Sequence, residues 1–339
     1  MIPPPITSKI PHLVSVMDAM IKAGEKIQDV YNTDFEVNKK DDDSPITKAD
    51  LESNKILRLI LEKTGIPILS EEDIDDKSRL ASEKVWIVDP LDGTQDFVNR
   101  TGEFTILVGL VEDHVPVMGL VYLPIKKILY FAEKGMGAFC YDLNNWKKIS
   151  VRKVEEIDRC LALVSRHHLS GKERKILDHL GITNTATIGS TLKVMEISSG
   201  RGDVYLTTTN KMSQWDTCAS NCIISEAGGK MTDIFEFSKE WENIFDYVIE
   251  QTCFCAINPS RRMDYEAVVK RMLIAGGKLI GLWFPLDKSL KEEGPPWGTT
   301  IDEVKSIFNH DWKIEKEEFP ELSIEPRKGR EKLIIFKKN

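Results

Sequence analysis

The stretch "WIVDPLDGTQDFVNR", Trp86 to Arg100, places an apolar run directly before two aspartates that lie three positions apart. The apolar run is typical of a buried β-strand. An Asp-Pro step followed by Asp-Gly is good turn chemistry, because proline presets its own φ and glycine tolerates unusual dihedral angles. The same turn can also direct the carboxylates of Asp89 and Asp92 and the carbonyl of Leu91 at one point, where these hard oxygens suit Mg²⁺. Taken alone, the motif is compatible with both interpretations.

Three further acids can each be explained by local structure. Glu71 belongs to the acidic run 71–73 at the end of a predicted strand, where charged residues are usually solvated. Asp216 can be the N-cap of a helix, and Asp50 can be the acid of a Thr47-x-x-Asp50 capping box. However, four of the five acids lie at strand ends or helix starts, where α/β active sites assemble. Their combination favours a functional site more than any one of them does.

The composition is that of a globular protein with one large or two moderate domains. The chain has 339 residues, of which 41% are hydrophobic and 29% are charged. A net charge of -8, without a sustained Lys/Arg stripe, argues against binding to a nucleic-acid polymer. An acidic chain that handles phosphates therefore needs metal ions or local cations.

The cysteines and the N-terminus indicate the compartment. The 6 cysteines fit neither a zinc-binding spacing nor a regular disulfide framework, which favours a reducing environment. The N-terminus has no apolar segment followed by a cleavage site, and no apolar run approaches the ~18 residues of a membrane-spanning helix. We therefore expect a cytoplasmic protein with no membrane partner.

Up to about residue 230, the hydrophobic periodicity predicts mixed layers of helix and sheet. Apolar spacing predicts amphipathic helices over 12–31 and 47–63. The segment 103–150 alternates apolar runs with turn signals, which is the pattern of an antiparallel meander. The other predicted elements are strands at 67–70, 85–89, 161–165, 185–189 and 203–208, and helices at 171–181, 191–200 and 215–229.

Beyond residue 240 the pattern changes. It predicts a parallel strand-helix-strand unit over 245–251, 264–277 and 278–285. Two late strands near 312–319 and 331–338 then form an antiparallel pair. The sequence shows no internal repeat or low-complexity tract. No flexible linker separates the two patterns.

Four motifs in this order resemble the inositol monophosphatase superfamily of Mg²⁺-dependent, lithium-sensitive phosphatases: "PITKAD", "LSEED", "WIVDPLDGTQDF" and "WDTCASNCIISEAGG". The likeness covers about residues 10–235. Within the superfamily, "RTGEFTILVGLV", "VSRHH" and "IGSTLK" are most similar to the 3'(2'),5'-bisphosphate nucleotidase branch. The resemblance implies an α/β fold, a layered α-β-α-β sandwich, in a domain spanning residues 1–233.

The resemblance also implies the roles of individual residues. Position by position, the metal ligands for two or three Mg²⁺ ions are Glu71, Asp89, the carbonyl of Leu91, Asp92 and Asp216. Asp50 and Thr94 would orient or activate the attacking water. A phosphomonoester dianion repels hydroxide, so bound cations would neutralise the phosphate, lower the pKa of the water and stabilise the leaving alkoxide.

The resemblance further implies a substrate site. The helix start at Gly93 and Thr94 would hold phosphate oxygens, while His168, Ser190 and Lys193 would form the nucleotide pocket. The expected partner is a small phosphorylated metabolite, and the expected reaction is release of phosphate from adenosine 3',5'-bisphosphate. Related nucleotidases often carry an arginine where this chain has Thr207, which leaves inositol or sugar monophosphates open as alternative substrates.

The remaining chain, residues 234–339, does not resemble the usual end of that superfamily. The segments "CAINPSRRMDY", "LWFPLDKSLKEEGPPWG" and "EPRKGREKLIIF" are similar to the C-terminal half of thiopurine S-methyltransferase-like proteins. This implies a partial, doubly wound class I methyltransferase-like α/β segment, and a phosphatase domain without its closing strands.

S-Adenosylmethionine is not an expected cofactor. A methyltransferase of this class needs a Gly-rich loop after its first strand and an acid after its second, and the chain before residue 231 belongs to the phosphatase. The nearest Gly-rich candidate, Gly135-Met-Gly137, is typical of a hairpin turn.

A second functional hypothesis is therefore a weak or inactive fusion protein whose C-terminal half is structural. If strands 245–251 and 278–285 do not pair with the phosphatase sheet, an exposed edge would promote aggregation or a homodimer.

Overall fold

The computed structural model describes residues 3–40, 44–75, 77–167, 169–208, 212–232, 242–251, 253–289, 292, 294 and 296–339. The chain divides into two compact units, Met1–Met231 and Thr232–Asn339. The domain boundary predicted at residues 233 and 234 lies outside the described residues. Within the described part, no helix is both long and apolar enough to cross a membrane.

Unit 1 is built on a seven-stranded sheet with the strand order β3-β4-β5-β6-β7-β8-β9. β3 is parallel to β4, and each later neighbour is antiparallel. A short hairpin, β1 (Val37–Lys39) and β2 (Pro45–Thr47), precedes the sheet. The sheet strands are β3 (Ile68–Ser70), β4 (Lys84–Asp92), β5 (Thr105–Glu112), β6 (Val115–Leu123), β7 (Ile128–Glu133), β8 (Gly137–Asp142) and β9 (Asn145–Ile149). The meander predicted over 103–150 is confirmed, with Gly135 in the turn between β7 and β8.

One face of this sheet is covered by two helices, α1 (Leu13–Tyr31) and α2 (Lys48–Leu61). Both helices were predicted from apolar spacing, and their buried residues form one core with the sheet. Thr47 is the N-cap of α2 and Asp50 closes the predicted capping box. The largest fully buried members of this core include Met17, Met20, Ile27, Trp86, Phe97, Phe104 and Phe131.

The opposite face is covered by α5 (Leu192–Ser198) and α6 (Gln214–Glu226). Gly109 and Gly119 lie directly opposite each other on β5 and β6. A Cβ at Gly109 would lie 3.2 Å from the backbone nitrogen of Ala219, and a Cβ at Gly119 would overlap the carbonyl of the same residue. The two glycines therefore let the backbone of α6 lie directly on the sheet, which positions the first turn of that helix.

A smaller parallel sheet in unit 1 consists of β10 (Leu161–Ser165) and β11 (Asn184–Ile188), with α4 (Gly171–His179) between them. The strand predicted over 203–208 is wrong except for a single bridge from Val204 to Ala162. Its apolar alternation arises from packing on two sides: Val204 contacts the β10 cluster and Tyr205 contacts the α6 cluster. Alternation of this kind needs no hydrogen-bonded ladder.

Unit 2 contains its own four-stranded sheet with the order β12-β13-β15-β14. β12 is parallel to β13 and β14 is antiparallel to β15, as predicted, and β13 is also antiparallel to β15. In the described residues these four strands form one sheet within unit 2. The elements are β12 (Phe245–Glu250), α7 (Cys253–Ala256), α8 (Arg262–Met272), β13 (Leu273–Trp283), α9 (Ile301–Ile307), β14 (Trp312–Glu318) and β15 (Lys332–Lys338).

The helix predicted over 264–277 is too long. α8 ends at Met272, and the next residue, Leu273, is fully buried at the start of β13. A short apolar run fits a helix end or a buried strand equally well, so periodicity could not separate them. Leu273 is buried in the fold, and the φ of 77° at Gly276 lies outside the range of a right-handed helix, so the helix does not extend to residue 277.

Candidate metal centre

Three carboxylates in unit 1 converge on one point. One oxygen from each of Asp89, Asp92 and Asp216 lies within 4.8 Å of the others. Asp89 and Asp92 lie within the last four residues of β4, and Asp216 lies in the first turn of α6. The structure thus brings together residues that are more than a hundred positions apart in the sequence.

Each carboxylate is oriented by a backbone N–H. The N–H of Leu91 donates to Asp89 Oδ1 at 3.0 Å, and the N–H of Thr191 donates to Asp92 Oδ2 at 2.6 Å. The hydroxyl of Thr105 donates to the same Asp92 oxygen at 3.0 Å. Because a carboxylate has two oxygens, a donor on one of them leaves acceptor capacity for a cation.

Asp216 is not the helix N-cap that the sequence suggested as its local role. Ser213 is the N-cap, and Asp216 is the third helical residue, whose Oδ2 accepts the N–H of Ser213 at 2.6 Å. The side chain of a residue at this position reaches back over the helix start. Asp216 can therefore cap the helix and still face the β4 aspartates.

The cluster is electrostatically unfavourable without a cation. Burial raises the pKa of Asp89 well above its usual range, and the charges of Glu71, Asp92 and Asp216 raise it further. Burial, followed by the charge of Asp92, raises the pKa of Asp216 to about 7. Like charges held together in a buried site disfavour ionisation, so a divalent cation would relieve the repulsion.

Glu71 lies next to this cluster, since its charge acts on both Asp89 and Asp216. Its Oε1 accepts the ammonium of Lys40 at 2.7 Å, and the same ammonium donates to Glu72 at 2.7 Å. Burial raises the pKa of Glu72 to about 7, against the effect of Lys40. The Lys40 ammonium thus already supplies one positive charge at this edge of the site.

The other predicted catalytic residues form a connected chain of hydrogen bonds. Asp50 Oδ2 accepts the backbone N–H and the hydroxyl of Thr47 at 2.8 and 2.7 Å. The Thr94 hydroxyl lies 3.1 Å from Asp50 Oδ1 and 3.2 Å from the carbonyl of Leu91. Burial raises the pKa of Asp50, while the bonds from Thr47 and Thr94 oppose that shift. The hydrogen bond between Thr94 and Asp50 therefore offers a path for proton transfer from the hydroxyl to the carboxylate.

Gly93 connects these hydrogen-bonded residues to the 188–191 turn through a close contact. Its φ is 87°, and a Cβ there would lie 2.8 Å from Cβ of Ser190. Ser190 itself has a φ of 45° in the turn that presents the N–H of Thr191 to Asp92. Helix α3 (Thr94–Val98) begins immediately after Gly93. The close approach explains why glycine is required at this position.

Lys193 is only 4% exposed. Its ammonium donates to the carbonyls of Ser190 at 2.6 Å and Ile188 at 3.3 Å, and lies 4.9 Å from the ring centre of Tyr205. Burial lowers the pKa of Lys193, against the charges of the nearby acids. The structure therefore shows Lys193 holding the turn that contains Ser190. The predicted pocket residue His168 lies outside the described residues.

Sequence reasoning missed a group of charges beside the same turn. Arg166 forms ion pairs with buried Asp96 at 3.3 Å and with Glu103 at 2.7 Å. The N–H of Gly189 also donates to Glu103, at 2.6 Å. The motif "VSRHH" contains Arg166 and was available as a signal, but its acidic partners are 70 and 63 residues away in the sequence. Only the fold identifies them.

The donor set fits Mg²⁺ on chemical grounds. Each of the three aspartates offers a hard carboxylate oxygen, and within the described part of the chain no cysteine or histidine joins Asp89, Asp92 and Asp216. Together with Glu71 they concentrate negative charge that a divalent ion would balance. The arrangement can therefore hold cations beside a hydroxyl, Thr94, that is hydrogen-bonded to a base.

Two family models match the chain. The model described as the inositol monophosphatase family matches residues 12–261, and the model described as thiopurine S-methyltransferase matches residues 196–338.

Among curated relatives, the 3'(2'),5'-bisphosphate nucleotidase CysQ of Salmonella typhimurium is 36% identical over 216 residues, which are 62% of this chain and 86% of that protein. The protein of the same name from Aggregatibacter actinomycetemcomitans is 34% identical, over 66% of this chain and 84% of that protein.

Solved structures show the same fold. CysQ from Bacteroides thetaiotaomicron, described as a bacterial member of the inositol monophosphatase family, has a TM-score of 0.55 and 34% identity over 63% of this chain and 86% of its own. The extragenic suppressor protein suhB from Bartonella henselae has a TM-score of 0.57 and 27% identity over 65% of this chain and 87% of its own.

Proposed function

Because the chain belongs to the inositol monophosphatase family, we propose that it is a Mg²⁺-dependent 3'(2'),5'-bisphosphate nucleotidase that releases phosphate from adenosine 3',5'-bisphosphate. The main support for the proposal is that one carboxylate oxygen from each of Asp89, Asp92 and Asp216 lies within 4.8 Å of the others. The substrate class follows the relatives named 3'(2'),5'-bisphosphate nucleotidase, which the chain matches over 84% or more of their length in the two cases above.

In this proposal, Glu71, Asp89, the carbonyl of Leu91, Asp92 and Asp216 hold two or three Mg²⁺ ions. Bound Mg²⁺ would neutralise the phosphate, lower the pKa of the attacking water and stabilise the leaving alkoxide. The backbone donors on Asp89, Asp92 and Asp216 keep the carboxylates oriented, so little rearrangement is needed on binding.

The roles proposed for Asp50 and Thr94 follow from their hydrogen bonds. A hydroxyl has one hydrogen, so when Thr94 donates to Asp50 its oxygen can only accept a further bond, here from the attacking water. As the water attacks, its proton passes to the Thr94 oxygen and the Thr94 proton passes to Asp50. Burial raises the pKa of Asp50, which makes the carboxylate a stronger base.

The substrate would lie between the start of α3 and the 188–191 turn. We propose that Gly93 and Thr94 contact the transferred phosphate, and that His168, Ser190 and Lys193 contact the nucleotide. The Lys193 ammonium has three donors, and the two carbonyl contacts account for two of them. We also propose that the chain forms a homodimer. Residues 234–339 would have a structural role and would not bind S-adenosylmethionine.

The direct test is Mg²⁺-dependent phosphate release from adenosine 3',5'-bisphosphate, compared with inositol and sugar monophosphates. We expect Asp92→Asn to lower kcat by at least a thousandfold, because it removes a ligand charge while the Thr105 and Thr191 donors keep an oxygen partner. The matched control is Asp113→Asn, a change at an exposed hairpin residue with a φ of 49° that asparagine tolerates.

The assay also separates the alternatives. Preference for an inositol or sugar monophosphate would replace the nucleotide assignment while keeping the phosphatase. Absence of turnover on every substrate, in a protein that still shows a Mg²⁺-induced rise in Tm, would favour the inactive fusion. Full activity of Asp92→Asn would contradict the metal assignment itself.

A further inference from the structure

Strand β12 is an edge strand of the unit 2 sheet and is paired on one side only, with β13, among the described residues. Parallel strand pairs are normally buried on both faces. Here Tyr247 is 60% exposed and Ile249 is 78% exposed, on the same face of β12. The strand therefore presents unpaired backbone groups and large apolar side chains together.

The apolar surface continues across the sheet. Ile249 pairs with Ile280 on β13, and Ile280 pairs with Ile335 on β15, so three isoleucines form a row across three strands. Ile280 and Ile335 are half-buried. The opposite face of the same strands is the packed core of unit 2, to which Leu279, Ile334 and Phe336 belong. One face of the sheet is thus packed, and the other carries a row of two half-buried isoleucines and one exposed isoleucine that ends at the β12 edge.

The two edge strands of this sheet differ in how well their charges protect them from pairing with another strand. The other edge strand, β14, carries five charged residues in seven, a composition that discourages strand pairing. On β12, Glu250 is buried and accepts a hydrogen bond from the hydroxyl of Tyr265 at 2.6 Å. Asp246 is therefore the one exposed charged residue of β12. Among the described residues, charged edge protection is present on β14 and lacking on β12.

We propose that β12 pairs with β12 of a second copy of this chain, antiparallel about a twofold axis at Tyr247. An edge of unpaired N–H and C=O groups is satisfied by another strand, and an isologous pair consumes both edges at once. The axis runs perpendicular to the sheet, so the apolar rows of the two copies lie on the same face. This inference specifies the interface of the homodimer included in the proposed function, and it does not depend on the phosphatase activity.

Charge selects this register. With Tyr247 opposite its own copy, Phe245 faces Ile249, Asp246 faces Val248, and no like charges are opposed. A register centred on Val248 would place Asp246 opposite Glu250, which is unfavourable for a cross-strand pair. A register shifted by one residue would place the apolar face of one copy beside the covered face of the other.

The first test is sedimentation velocity of the full chain over a wide concentration range. We expect a monomer–dimer equilibrium with a Kd between about 1 and 100 μM, as for a small transient interface. Ile249→Lys should raise that Kd at least tenfold. The matched control is Leu322→Lys, because Leu322 is 97% exposed in the same unit but lies outside the sheet, and it should leave the Kd unchanged.

The second test addresses the register. Tyr247→Cys places a cysteine opposite itself across the axis, within the Cα distance of a disulfide, and should form a covalent dimer on mild oxidation. Ile249→Cys places the two sulfurs four residues apart along the strands and should not cross-link above the level of the parent protein. A monomer at all concentrations, open-ended aggregates without a dimer, an equal effect of Leu322→Lys, or cross-linking through Ile249→Cys would each overturn the proposal.

Discussion

The charge of Asp216 should destabilise the protein when metal is absent. The folded pKa of this carboxyl is about 7 against an ordinary value of 3.8, because the group is buried beside Asp92. A pKa shift of one unit corresponds to about 1.4 kcal/mol, so ionised Asp216 costs the folded state about 4 kcal/mol at pH 8. Water and monovalent ions in the site offset part of this cost. We therefore expect Asp216→Asn to raise the free energy of unfolding by about 1 to 3 kcal/mol in EDTA at pH 8.

The raised pKa of Asp216 sets the direction in which the free energy of unfolding changes with pH. A carboxyl whose folded pKa is raised contributes stability that is fully present below the unfolded pKa, near 3.8, and is lost as pH rises through the folded pKa, near 7. The metal-free parent should lose stability across that window. The asparagine side chain of the variant does not titrate, so the advantage of Asp216→Asn should shrink steadily as the pH falls from 7 to 4.

The assay is thermal unfolding in EDTA and in saturating Mg²⁺, followed on the transition that Mg²⁺ shifts. For a domain of this size, 1 to 3 kcal/mol corresponds to a Tm increase of about 2 to 10 °C. Mg²⁺ should raise the Tm of the parent and have little effect on Asp216→Asn, which should also lack activity. The control is Asp203→Asn: the ion pair with Arg152 lowers the pKa of Asp203, so that change should lower the Tm. A Tm of Asp216→Asn at or below the parent value at pH 8 in EDTA would refute the reasoning.

Three further predictions concern the site and its support. Thr94→Val should lower kcat by a factor of about 10² to 10⁴ and Thr94→Ser by much less, with the Mg²⁺-induced Tm shift unchanged in both. Gly119→Ala should lower the free energy of unfolding by about 1 to 3 kcal/mol in urea titrations, because the new Cβ meets the backbone of α6, whereas Gly171→Ala, in open space, should not. Lys193→Met should raise KM for adenosine 3',5'-bisphosphate at least tenfold relative to a monophosphate ester; an equal loss on both substrates would limit Lys193 to holding the 188–191 turn.

Much of the site could be predicted because its motifs are local. Asp50 with Thr47, and Asp89 with Leu91 and Asp92, lie within single turns whose geometry follows from proline, glycine and capping chemistry. The same locality explains why each motif alone was ambiguous. A capping acid and a metal ligand can be the same residue, as Asp216 shows by accepting the N–H of Ser213 within the cluster.

Other features of the site could not be predicted because they depend on distant partners. The N–H of Thr191 that holds Asp92 comes from 99 residues away, and the ion pairs of Arg166 come from α3 and the chain that follows it. Lys193 was predicted as a residue of the nucleotide pocket, and the folded chain shows in addition that its ammonium is buried against two carbonyls. Helical spacing could not reveal that burial, since an exposed lysine has the same spacing.

The amino-acid sequence by itself determined the helices over α1 and α2, the antiparallel meander and the separate pattern of residues beyond 240. These properties follow from periodicity and turn chemistry, which act over a few residues. Tertiary structure alone decided that Gly109 and Gly119 admit α6 to the sheet, that strands β12 to β15 form a sheet of their own, and that the segment 203–208 makes only one bridge. The physical reason is that close backbone approach, strand partners and shared burial are set by residues far apart in the chain.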